Sequence, residues 1–156
     1  MGELTQTGIE LIQHFECLHD GDPSTPALEP QLDCRGIPTL GWGAIWDEAG
    51  KRVTLQTPAI DRDCADRLFL RDTRRAQLAV MKLITVPLSE GQFDALVSFT
   101  YNLGSGQLLG SQLRAVINRQ EYDQAPAQFA RWVYAGGVKY RGLVLRRQAE
   151  IDRWNA

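Results

Sequence analysis

The feature that most constrains this chain is a long helix written into residues 58–84. Thr57-Pro58 places a capping side chain ahead of a proline at the first helical position, where the missing N–H is no loss. Ile60, Cys64 and Leu68 then step by four, and Pro87 marks the end. The 156 residues are enough for one domain, with room for two lobes around such a helix.

Shorter elements flank it. Thr7-x-x-Glu10 is a capping-box pattern, and Ile9, Ile12 and Phe15 continue at helical spacing, which predicts a first helix over 7–16. Residues 19–30 read as a polar loop. Residues 37–46, "IPTLGWGAIW", followed by "DEAG" and "KRVT", read as a small antiparallel hairpin. Ser89-x-x-Gln92 is a second capping box, and Phe93, Leu96, Val97, Thr100 and Tyr101 form one face of the helix it opens, closed by Asn102-Leu103-Gly104. Helices are also expected over 111–119, 123–132 and 142–154, with "AGG" at 135–137 as a break. Helix, hairpin, long helix and helical bundle in that order make an α+β fold with most of its mass in helices.

Charge and cysteine usage narrow the function classes. A net charge of −2 leaves no footprint for nucleic acid. The balance is uneven: residues 1–35 carry seven acids and one base, whereas residues 131–153 carry six bases and two acids. That pattern suits internal pairing, a basic wall for an anionic polymer, or merely two solvated faces of opposite sign. Three cysteines, Cys17, Cys34 and Cys64, are an odd and sparse set that fits a reducing compartment. With His14 and His19 they form no compact pattern of paired ligands, so no metal and no cofactor is expected. The first residues lack a secretory pattern and no apolar run reaches the length of a membrane span, so the protein is expected in the cytoplasm.

The chemistry concentrates in residues 14–43. Glu16 follows Phe15 at the end of the first predicted helix, where the negative end of the helix dipole and partial burial both disfavour the ionised carboxyl. A carboxylic acid kept protonated is what a general acid requires. A surface glutamate at a helix end is the plainer alternative. Asp33 precedes Gly36 and the hairpin on irregular backbone, and Thr39 follows six residues on. One protonated and one ionised carboxyl is the pair that glycoside hydrolysis uses, the first on the leaving oxygen and the second on water or the sugar.

"GIELIQHFE…LDCRGIPTLGWG" resembles the catalytic segment of phage-type lysozymes, glycoside hydrolase family 24, which carry Phe-Glu at the end of the first helix, then an Asp or Cys and, six positions later, a Thr in a Thr-h-Gly-h-Gly hairpin. "LSEGQFDALVSFTYNLGSGQL", "FARWVYAGG" and "RGLVLRRQAEIDRW" extend the resemblance through nearly the whole chain. The resemblance implies a lysozyme-like fold: a small N-terminal lobe with a hairpin (about 1–57), a connecting helix (about 58–84) and a helical lobe (about 87–156), with a peptidoglycan glycan strand held between lobes. It implies an endolysin-type muramidase that cleaves the β-1,4 bond between N-acetylmuramic acid and N-acetylglucosamine with inversion, acting as a monomer, retained in the host cytoplasm until released to the wall. By position, Glu16 is similar to the general acid, Asp33 to the carboxylate that activates or aligns water, and Thr39 to the residue that helps hold it. Inversion would set the two carboxyls roughly 6.5–9.5 Å apart.

Asn102 falls at a position that lines the family's substrate site, where its amide can bond an N-acetyl group; it is equally a helix C-cap before Gly104. Trp132 and Tyr134 can stack on sugar faces, although the core is the better reading for Trp132. Arg141 can pair with Glu16 or bind a peptide-stem carboxylate. Arg146 and Arg147 read as a helix face paired with Glu150. The chain departs from the family pattern at Cys17, where glycine is usual, and at Ala44, where histidine often stands. Sixteen residues separate Glu16 from Asp33 where eight are common, and the excess is read as a surface excursion over 19–31. These departures keep two rivals in view: a non-catalytic wall-binding or protein-interaction domain on a lysozyme scaffold, and a chitinase or transglycosidase.

Overall fold

The computed structural model describes residues 2–16 and 26–156. They divide into two compact units, one of residues 12–73 and one of residues 2–11 with 74–156. The first helix, α1 (Gln6–Glu16), and the long helix, α2 (Arg62–Leu83), each contribute to both.

In the unit of residues 12–73, β1 (Ala27–Leu32) pairs antiparallel with β2 (Pro38–Gly41), Gln31 opposite Thr39 and Ala27 opposite Gly41. The register slips between those two pairs. β1 corrects the expectation of a loop up to residue 30 and of an excursion up to 31. Pro30 donates no ladder hydrogen bond, which argues against a strand in the sequence; in the fold it lies within the slipped stretch, where none is needed. The hairpin read from residues 37–46 survives in a different form. Leu40 and Ala44 close a tight turn with reciprocal backbone hydrogen bonds of 2.9 and 2.8 Å, and Trp46 bridges to Arg52. Ile12, Leu40, Trp42, Val53, Ala65 and Leu68 are buried as the core of this unit, and Trp42 packs on Phe69 of α2 at 5.3 Å between ring centroids.

α2 starts four residues later than the Thr57-Pro58 signal predicts. The Asp61 carboxylate accepts from the Cys64 backbone N–H at 2.7 Å and caps the helix, while Thr57 closes a turn by accepting from the Thr54 N–H at 2.9 Å. α1 starts one residue earlier than predicted: Thr5, not Thr7, presents its hydroxyl to the orphan N–H of Gly8 at 3.1 Å.

In the other unit α3 (Glu90–Leu103) is the centre, buried without interruption from Phe93 to Thr100. A helix buried on every side belongs inside, and its polar residues Asp94, Ser98 and Thr100 are buried with the apolar ones. The capping box at Ser89 forms as predicted, with Gln92 N–H on the Ser89 hydroxyl at 3.1 Å and Ser89 N–H on the Gln92 side chain at 2.9 Å. Then follow α4 (Ser105–Leu109), α5 (Gln112–Asn118), a 3-10 turn (Tyr122–Gln124), α6 (Ala125–Phe129) and α7 (Arg141–Trp154). The Phe99 ring meets Phe129 and Trp132 edge-on at 5.7 and 5.5 Å, and Phe129 meets Trp154 at 5.7 Å. The "AGG" break is a two-residue hairpin turn between β3 (Tyr134–Ala135) and β4 (Val138–Lys139); Gly136 and Gly137 both take positive φ, as a turn twisting with its strands requires.

Candidate active site

Glu16 is the last residue of α1, and its carboxyl is set by the hairpin turn. A Cβ built on Gly43 would overlap Glu16 Oε2 and stand 3.1 Å from Cδ, so the carboxylate occupies the space a side chain would need. Gly43 also holds φ at +86°, which L side chains rarely adopt. The turn is fixed beneath by Trp42, buried between Phe69 and the Arg62 guanidinium, which lies 5.0 Å over its ring. The apolar core of this unit thus fixes the turn, and the turn confines one carboxyl oxygen.

Asp33 follows β1 and organises the turn that leads into β2. Its Oδ1 accepts the backbone N–H groups of Arg35 at 2.8 Å and Ile37 at 2.9 Å, and its Oδ2 accepts Nε and Nη2 of Arg35 at 3.2 and 3.0 Å. A carboxylate has about four lone-pair directions. With four N–H donors on it, the Asp33 carboxylate is held by the turn it organises and keeps only partial exposure. Thr39 stands on β2 opposite Gln31 and donates its hydroxyl to the Gln31 carbonyl at 3.3 Å. Leu40 beside it points into the core, so the alternation of the strand turns Thr39 outward. Cys34 links the acidic groups: burial, then the negative charge of Asp33, and more weakly that of Glu16, raise its thiol above the ordinary range.

The other candidates lie in the unit built around α3. Asn102, in the last turn of α3, accepts on Oδ1 from Nη2 of Arg147 at 3.0 Å. Nη1 of the same arginine reaches the Trp132 carbonyl at 3.4 Å, and its guanidinium lies 5.3 Å over Phe99. Trp132 keeps partial exposure while packing edge-on against Phe99, so it serves the core with one edge. Arg141 opens α7 and is exposed. The pairing of Arg146 and Arg147 with Glu150 is present, at 3.4 and 2.7 Å, but not on a solvated face. All three are buried, Glu150 completely. Leu143, Arg147, Glu150 and Trp154 share a helical stripe, and that spacing is the signal by which burial was readable.

Cys17 and His19, with most of the excursion read over 19–31, lie outside the described residues. Among the described residues no group of three or more His, Cys, Asp or Glu side chains is arranged to hold a metal ion, and no helix is long and apolar enough to cross a membrane.

A helix-borne glutamate set on a Gly-rich hairpin turn, a long second helix and a helical bundle around α3 define a lysozyme-like α+β fold. The endolysin from Escherichia coli O157:H7 phage FAHEc1 superposes with a TM-score of 0.81 at 31% identity over 98% of this chain and 93% of that one. A mutant of P22 lysozyme superposes with a TM-score of 0.77 at 27% identity over the whole of both chains. The model of the phage lysozyme family matches residues 25–150, and the chain belongs to that family. The endolysin of Bacillus phage B103 is 33% identical over 147 residues, which is 94% of this chain and 52% of that protein. The chain spans about half the length of the curated relatives that it matches first.

Proposed function

We propose that this chain is an endolysin-type muramidase that hydrolyses the β-1,4 bond between N-acetylmuramic acid and N-acetylglucosamine in peptidoglycan. The observation that carries the reading is the Glu16 carboxyl held against Gly43 at the hairpin, with Asp33 and Thr39 in the same unit. Membership of the phage lysozyme family supports it.

In this reading Glu16 protonates the glycosidic oxygen as the bond to the anomeric carbon breaks. Positive charge builds on the sugar ring, and the Asp33 carboxylate activates and aligns the attacking water, which Thr39 Oγ1 helps to hold. Asp33 needs one lone pair free to take the water proton, so the Arg35 side chain withdraws from Oδ2 when substrate binds. Its backbone bonds to Arg35 and Ile37 then hold Oδ1 in place. Attack from the face opposite Glu16 inverts the anomeric centre. Asn102, Trp132 and Arg141 contribute to holding the glycan and its peptide stem. The protein works as a monomer, and the sparse cysteines suit a cytoplasmic phase before it meets the wall.

The test is digestion of purified peptidoglycan by the native protein and by Glu16→Gln, with fragments identified by mass spectrometry. Reducing-end muramic acid from the native protein alone is the expected result. Anhydro ends would make it a transglycosylase, and binding without cleavage a wall-binding scaffold.

A further inference from the structure

We infer that Arg147 is a positioning residue that fixes the Asn102 side-chain amide as a hydrogen-bond donor for the carbonyl of a bound N-acetyl group. The inference rests on the muramidase reading for its ligand and on the geometry around Arg147 for the rest.

A terminal amide is ambiguous, because its oxygen and nitrogen differ little in shape. Here chemistry removes the ambiguity. A guanidinium carries only donors, so the group of Asn102 that meets Nη2 of Arg147 at 3.0 Å must be the oxygen. Rotation by half a turn would set two donors against each other beside a cation. The Asn102 Nδ2, the other branch of the planar amide, is therefore directed away from Arg147, and the ligand it suits is an acceptor. On a strand of alternating N-acetylated sugars, the acetamido carbonyl is the strongest neutral acceptor and recurs on every ring.

Arg147 is itself immobilised. It is almost wholly buried, with Nε on Glu150 at 2.7 Å, Nη2 on a Glu150 oxygen at 2.9 Å, Nη1 on the Trp132 carbonyl and its plane over Phe99. Glu150 is held in turn by the Ser98 hydroxyl at 2.7 Å. One side chain thus ties the Asn102 amide and the Trp132 backbone, two of the residues singled out for substrate binding, to the most deeply buried part of this unit. Sequence distance hides the link, since Asn102 and Arg147 are 45 residues apart.

Asn102→Asp separates this role from mere capping. Asp keeps an oxygen for Arg147 and adds a negative charge beside it, but removes the donor. The measurement uses Glu16→Gln as the background, so that glycan is bound without being cut. Titration calorimetry compares oligomers of N-acetylglucosamine with the same oligomers deacetylated, and a thermal melt follows stability. Glu16→Gln should prefer the acetylated oligomer, and adding Asn102→Asp should weaken that oligomer about tenfold, leave the deacetylated one nearly unchanged, and hold or raise the melting temperature. Unchanged preference in the double variant, or a lowered melting temperature, overturns the inference while leaving the muramidase reading in place. If Glu16→Gln binds neither oligomer, the glycan-binding reading falls and takes this inference with it.

Discussion

At the scale of single residues, the candidate site is shaped by two groups that carry no chemistry of their own. Gly43 leaves room for the Glu16 carboxyl, and Arg35 occupies one oxygen of Asp33. Gly43→Ala puts a methyl group into Glu16 Oε2 and an L side chain at φ +86°, so it should cost about 1–2 kcal/mol of stability and cut wall-lytic turnover at least tenfold. Denaturant melts read the first effect and muropeptide release the second. Asp33→Asn separates two roles. Its amide oxygen can still accept the Arg35 and Ile37 N–H groups, and the lost ion pair is partly exposed and worth only ~0.5–1 kcal/mol. If Asp33 has the proposed role, activity should nevertheless fall by a factor of about 100 or more, because no carboxylate remains to take the water proton. Equal small losses in both would make Asp33 a turn residue and nothing more. Glu16, Asp33 and Thr39 were named as candidates from residue type and from the resemblance of their segment to the phage-type lysozymes. Gly43 and Arg35 were not, because their roles come from a contact across a turn and from a side chain folding back two residues.

At the scale of elements, sequence signals located the helices and the start of α3 but misplaced the starts of α1 and α2. Thr57-Pro58 and Asp61 are both sound capping signals, and the winner is the one from which the backbone can also run on to Ile60, whose N–H reaches the Leu28 carbonyl of β1 at 2.8 Å. Such a bond to a distant strand cannot be seen in a local window. The start of α2 is also tied to the stretch after the hairpin. Glu48 accepts from Arg67 Nε at 2.7 Å and, at 3.0 Å, from the buried Cys64 thiol. Bonding by Arg67 first and Cys64 second holds the Glu48 carboxyl down at about 2, against an ordinary 4.5. Burial first and Glu48 second push the Cys64 thiol up to about 11, from 9.0. The two give opposite limbs to the pH profile. A lowered carboxyl contributes stability that is whole above pH 4.5 and fades as pH falls towards 2. A raised thiol contributes stability that is whole below pH 9.0 and fades as pH rises towards 11. Glu48→Gln should flatten the acid limb, and Cys64→Ala the alkaline one, in thermal melts run across pH. A Glu48→Gln variant with an unaltered acid limb would show that other carboxylates set it.

At the scale of the whole molecule, the unit around α3 is made from two stretches of chain, residues 2–11 and 74–156, and something must hold the short one. Asp94 does this from the middle of α3. It is fully buried; its Oδ1 accepts the Thr5 N–H at 3.0 Å, and its Oδ2 accepts the Thr5 hydroxyl together with Arg153 Nε and Nη2 at 2.9 and 2.8 Å. One carboxylate therefore joins the entry to α1, the central helix and the end of α7, residues as far apart in sequence as Thr5 and Arg153. Thr5 caps α1 through the hydroxyl that Asp94 orients, so the first helix starts where it does because of a residue 89 positions away. This explains why the Thr7 capping pattern was the wrong start. Asp94→Asn keeps the shape but supplies only one acceptor oxygen, leaving either Thr5 or Arg153 without its partner in a buried place. It should cost about 3 kcal/mol, against about 1 kcal/mol for Thr5→Val. The two losses should fall short of additivity by about 1 kcal/mol in a double-mutant cycle from denaturant melts, since both remove the same bonds. Strict additivity would mean that Asp94 serves Arg153 alone, and the N-terminal stretch would then be held by its apolar contacts.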